Sequence, residues 1–146
     1  MDDSFIDFLI AAKKASYTGR GPQSEPSKPQ SHDYRFAAGE FAYADVYLGE
    51  DHFIGQEAVW KAGQPLWGMN YVGRVVNEGF SSEFLHEVLL LVPRDNPYRG
   101  PVSHSDGGYS YSCIVKGSLD WFYGYERIWL GEVLVYEGAF HGGEVG

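Results

Sequence analysis

The chain has 146 residues, a net charge of −9 from eleven basic and twenty acidic side chains, 44% hydrophobic and 16% aromatic content, and one cysteine. That is enough for one well-buried core and short for two independent ones, and so modest a charged fraction excludes extensive disorder. The acidity excludes nucleic acid and anionic bilayers as direct partners, because both would be repelled.

Cys113, being alone, excludes an internal disulfide and makes a reduced compartment the simplest setting. The acidic start Met1-Asp2-Asp3-Ser4 is unlike a signal peptide, and no apolar run approaches the roughly twenty residues needed to span a bilayer. The expectation is a soluble, cytoplasmic protein.

From Ser4 to about Ala15, Phe5, Phe8, Leu9 and Ala12 follow helical spacing, with Ser4 and Asp7 placed as an N-cap and its acidic partner. The stretch from Gly19 to Ser31, rich in proline and polar residues, reads as an exposed loop, either a connector or a mobile lid. Strands follow over about Glu40–Leu48, His52–Lys61 and Pro65–Val75, separated by glycine turns too short for parallel crossovers. A second helix starts near Ser81, with Phe80 and Leu85 as a hydrophobic staple, and is stopped by Pro93. After Tyr98-Arg99-Gly100-Pro101, which parallels Tyr17-Thr18-Gly19-Arg20-Gly21-Pro22, three more strands read over about Tyr109–Lys116, Leu119–Trp129 and Val133–His141.

The two series echo each other. Shifted by sixty-nine positions, Phe53, Gly55, Glu57, Trp60 and Gly73 meet identical residues, and Val59, Leu66, Trp67 and Tyr71 meet close substitutes. Five identities in twenty-one positions exceed the roughly one that chance gives. The predicted fold is therefore α+β: a single domain over residues 1–146, built from two pseudo-symmetric α-β-β-β repeats (about 1–78 and 79–146), whose antiparallel meanders pack on two helices with a cleft between the repeats.

Alternation along the strands places Glu57 beside Phe53 and Val59, and Glu126 beside Phe122 and Ile128, on otherwise apolar faces. A carboxylate there must be paired, hydrogen-bonded or protonated. Either the two glutamates converge on a ligand, or each locks its sheet against a tyrosine or one of Arg20, Arg74, Arg99 and Arg127. Trp67 and Tyr71, with Tyr136 and Phe140, form an aromatic stripe that serves a core, a pocket or both. The pairs His32/Asp33 and His104/Asp106 give too weak a metal signature and read as surface loop residues, so no metal or cofactor is expected. Signatures for phosphate loops, dinucleotide binding, zinc proteases and serine hydrolases are absent from the sequence.

The run Trp60, Gly63, Pro65, Trp67, Met69, Asn70, Tyr71 and Gly73 fits a W-x-x-G-x-P-x-W-x-M-N-Y-x-G pattern. In it the chain resembles a family of uncharacterised bacterial domains, found alone or appended to helix-turn-helix regulators. The resemblance runs through Tyr98-Arg99-Gly100-Pro101 to Phe140-His141-Gly142-Gly143, where the family pattern has Tyr at the first position. It carries no activity, and with no DNA-binding segment before it here, a regulatory role would act through a separate partner.

Three functions stay open. The first is a small-molecule-binding or sensory domain, with Glu57, Glu126, Trp67, Tyr71, Tyr136 and Phe140 around the ligand. The second is a metal-independent hydrolase or isomerase using the glutamates as acid and base. The third is an interaction domain without a pocket, which would dimerise through a sheet face or edge.

Overall fold

Period-two alternation and tight glycine turns leave the strands one way to pair, back and forth with their neighbours. The computed structural model describes residues 1–17 and 23–146. Helix α1 (Asp3–Tyr17) precedes β1 (His32–Ala38), β2 (Phe41–Gly49), β3 (His52–Lys61) and β4 (Gln64–Val75), and helix α2 (Ser82–Leu90) precedes β5 (Ser103–Asp106), β6 (Tyr109–Ser118), β7 (Trp121–Leu130) and β8 (Val133–Glu144). All eight strands form one antiparallel sheet in the order β1-β2-β3-β4-β8-β7-β6-β5, so two four-strand meanders meet through β4 and β8. The fold is α+β.

Each meander holds four strands rather than three. The additional ones, β1 and β5, are the sheet's two edges. Ser103–Asp106 offers no apolar alternation to read, and in β1 the alternating Tyr34 and Phe36 are interrupted by charge and alanine. Edge strands need less apolar surface than central ones, which weakens their sequence signal. The β3–β4 hairpin closes through Ala62 (φ 49°) and Gly63 (φ 78°), a two-residue turn of the type that matches strand twist.

Asp2 caps α1, accepting from Phe5 N at 2.9 Å and from the Ser4 hydroxyl, which displaces the cap from the predicted Ser4. Ser81 caps α2, accepting from Phe84 N at 3.1 Å. Both helices cover the same sheet face. Phe5 meets Trp67 edge-on at 6.0 Å, Trp67 stacks on Phe122 at 5.7 Å, and Phe84 stacks on Tyr109 at 5.2 Å. Trp67 is wholly buried where the meanders join, and its Nε1 donates to Leu119 O at 3.0 Å, which satisfies its one polar group.

Of the predicted loop, residues 19–22 lie outside the described residues, as does most of the Tyr17–Pro22 stretch. Gln23–Gln30 is mostly exposed, but Ser31 and Asp33 are buried: the Ser31 hydroxyl and Ser27 N both donate to the Asp33 carboxylate. These two are structural rather than surface residues. Among the described residues no helix is long and apolar enough to cross a membrane.

Candidate functional site

Beneath the helices the sheet holds two carboxylate clusters. Glu57 of β3, fully buried, accepts from Lys13 Nζ at 2.9 Å, Tyr17 Oη at 2.8 Å and Tyr43 Oη at 2.5 Å. Lys13 comes from the inner stripe of α1, and it also donates to Tyr98 O at 2.7 Å. Burial pushes its ammonium below the ordinary lysine range, against the opposing pull of Glu57.

Glu126 of β7 is built alike. Arg99 Nε and Nη2 donate to its Oε1 at 3.1 and 2.7 Å, Tyr136 Oη donates to the same oxygen at 2.8 Å, and Tyr111 Oη donates to Oε2 at 2.6 Å. Burial raises its pKa, but the Arg99 guanidinium and these hydrogen bonds outweigh that and hold the carboxyl below the usual range. Gly138 makes the space, since a Cβ there would stand 2.8 Å from Tyr136 Oη and 3.1 Å from Glu126 Oε1.

Each glutamate therefore has its own cation and its own tyrosines, and the two do not share a partner. Trp67, Tyr136 and Phe140 are core side chains, Tyr136 with its hydroxyl spent on Glu126. Of the six predicted residues, Tyr71 alone lines a cavity that reaches the helix-covered face. His32/Asp33 and His104/Asp106 lie on opposite edges of the sheet and cannot share a metal. Among the described residues no group of three or more His, Cys, Asp and Glu side chains is placed to hold one.

That cavity, of about 520 Å³, is enclosed by β1–β4, the C-terminal end of α1, α2 and Arg99. At its floor is Asp45, which the sequence reading did not single out. It is only 4% exposed and accepts from Tyr71 Oη at 2.5 Å. Glu57 sits directly opposite on the adjoining strand, and a like charge in that position is unfavourable. Burial first, and then the Glu57 charge, push Asp45 up to about 7, while the Tyr71 hydrogen bond, Arg99 and Lys13 pull it back only in part.

Gly55 lets Tyr71 lie where it does, because a Cβ there would be 2.5 Å from Tyr71 Oη and 2.6 Å from Tyr47 Cβ. The other meander lacks this arrangement. Opposite Glu126, where Asp45 stands opposite Glu57, is Cys113, and the residue sixty-nine places after Tyr71 is Phe140. A signal for Asp45 existed: Phe41, Tyr43, Asp45 and Tyr47 alternate inward on β2, with the one acid among aromatics.

A carboxyl titrating near 7 beside a tyrosine can accept, release or share a proton at neutral pH, or hold a ligand cation. A second depression, of about 680 Å³, lies on the other face of the sheet around Ile54, Val72, Arg74, Tyr125 and Glu137. It is larger, but it has no buried ionisable floor.

The fold and the buried clusters define a two-layer α+β domain with its polar network sealed between sheet and helices and one acid left facing a cavity. The chain belongs to the family described as Domain of unknown function (DUF5680), which matches residues 45–145. Asp45, Glu57, Tyr71, Arg99 and Glu126 all fall within the match, whereas Lys13 and Tyr17 lie before it. No curated protein and no solved structure matches the chain significantly.

Proposed function

We propose that the protein is a small-molecule-binding domain whose ligand occupies the cavity over Asp45 and Tyr71. The observation that carries this is a buried acid with, among the described residues, a single side-chain donor at the floor of a 520 Å³ cavity, in a network where the other two carboxylates each hold a cation. Cavities of roughly 300–1,000 Å³ with few convergent polar groups suit small ligands. We further propose that the meanders descend from one duplicated unit. The matched glutamates and the bulges at Val59/Trp60 and Ile128/Trp129 support this.

The test is thermal denaturation against a metabolite library, where a ligand raises stability by RT ln(1 + [L]/Kd). Stabilising compounds should lose their effect in Ser82→Trp, which places an indole at the exposed rim without touching the core. Compounds acting equally on that variant, or no stabilising compound at all, would refute the reading.

The open sheet face supports a second role, pairing with a second copy. Leu48, Ile54, Val72, Ala139, Tyr125 and Ile114 form one cross-strand row over six strands. Face-to-face packing about an axis between β4 and β8 sets Ile54 on Tyr125 of the second copy, Val72 on Ala139 and Arg74 on Glu137, so apolar meets apolar and charge meets opposite charge. Sedimentation should show a dimer that Ile54→Lys breaks. A monomer at every concentration refutes it.

A further inference from the structure

The polar groups buried between sheet and helices do not balance in charge. Lys13 is matched by Glu57 at 2.9 Å and Arg99 by Glu126 at 2.7 Å, which among the described residues leaves Asp45 as a third acid without an ion-pair partner. At the cavity mouth the turn residues Glu50 and Asp51 add two exposed carboxylates. Arg99 is the one lysine or arginine among the described lining residues, and Glu126 already neutralises it. Among the described residues an anionic ligand would thus face three acids and no uncommitted cation.

The walls suit a cation in a second way. Tyr34, Tyr47, Tyr71, Phe53 and Phe80 present ring faces or edges to the space, and aromatic faces attract a cation electrostatically. Arg99 already uses the Tyr71 face at 5.0 Å, which shows how the site accommodates positive charge. Leu85, Leu89 and Val75 supply apolar contact for the rest of a ligand. Resting on the ligand-cavity reading above, we infer that the ligand is a protonated amine on an aromatic or aliphatic body, its ammonium donating to the Asp45 carboxylate.

Protonation of Asp45 competes with this binding. Facing Asp45 are Tyr34 on β1 and Glu57 on β3, both directly opposite it, Tyr71 on β4, Tyr43 on its own strand, Lys13 and Tyr17 from α1 and Arg99 after α2. Glu50, Asp51, His32 and His86 surround the mouth. With Asp45 titrating at about 7, the ionised fraction falls about tenfold from pH 8 to pH 6, and the apparent Kd weakens by the same factor. His32→Gln/His86→Gln, which removes both imidazoles at the mouth, is the control that assigns the profile to Asp45.

Three probes of matched shape test the inference by calorimetry on the intact chain: 2-phenylethylammonium, 2-phenylethanol and phenylacetate. The amine should bind at least about tenfold more tightly than the other two, with the pH profile above surviving the double histidine change and vanishing in Asp45→Asn. Glu50→Gln/Asp51→Asn, confined to exposed turn positions, should weaken the amine about twofold even if Asp45→Asn is misfolded. If the alcohol or the acid binds as well as the amine, the cationic class is overturned while the ligand cavity stands. Silence from all three overturns both, as does amine binding untouched by the acidic substitutions.

Discussion

Removing the charge of either buried glutamate tests what holds the layers together. In Glu57→Gln, the Lys13 ammonium stays fully buried, keeping Tyr98 O but losing its counter-charge. Breaking a buried pair in this way costs about 3–5 kcal/mol. Lysine has an escape, because shedding its proton at pH 7 costs at most about 5 kcal/mol, from about 3.5 pKa units at 1.36 kcal/mol each. Arg99 has none, since a guanidinium does not deprotonate in proteins. Glu126→Gln should therefore cost at least as much, and its cost should be the same at pH 7 and pH 9.

The sign for Glu57→Gln follows from proton counting. Lys13 in the folded variant has a pKa below that of the unfolded chain, so the unfolded state binds more protons and stability rises with pH up to the unfolded lysine value. Urea denaturation at pH 7 and pH 9 reads both effects. Glu57→Gln should regain part of its loss at pH 9 and Glu126→Gln should not. Losses under about 1 kcal/mol in both variants, or equal pH slopes, would refute the assignment of these glutamates to structural pairs.

Asp45→Asn should act in the opposite sense: its raised folded pKa gives stability that is present below the unfolded value and lost as pH rises through about 7. The variant should match the parent near pH 4 and exceed it at pH 8 by up to about 4 kcal/mol, read from paired urea titrations. Trp67→Ala should lose about 3–5 kcal/mol in the same assay, because it empties the junction between Phe5 and Phe122 and orphans Leu119 O. Burial, then the Glu126 charge, push the Cys113 thiol up to about 12, so a disulfide thiol reagent should leave it unmodified in the native protein and label it rapidly in urea.

The sequence showed most where side chains alternate without interruption. His52–Lys61 was bounded correctly, and the inward placement of Glu57 and Glu126 followed from a period of two alone. Lys13 was within reach of the same logic, since it follows Leu9 by four positions on the inner stripe of α1, yet a lysine there reads as solvent-facing until a carboxylate is known to lie below it. For Asp45 the alternation on β2 shows an inward acid but not its role. Its significance comes from Glu57 across the strand pair and from the space under α2, and neither cross-strand register nor interlayer volume is written in local periodicity.

The pairing of β4 with β8 also bears on how the chain is made. β8 spans Val133–Glu144 and is last in chain order of the described strands, yet it lies in the middle of the sheet. While the chain is being synthesised, β1–β4 can zip together by local contacts, but the far edge of β4, from Trp67 to Val75, has no partner until β8 emerges. From the completion of β4 at Val75 until β8 begins at Val133, the nascent protein thus displays an unpaired strand whose inward side chains, Trp67, Met69 and Tyr71, are among those most buried at the end. Such an edge is a template for the wrong neighbour. The interval between β4 and β8 leaving the ribosome is the period in which this protein most needs a chaperone or an uncrowded surrounding.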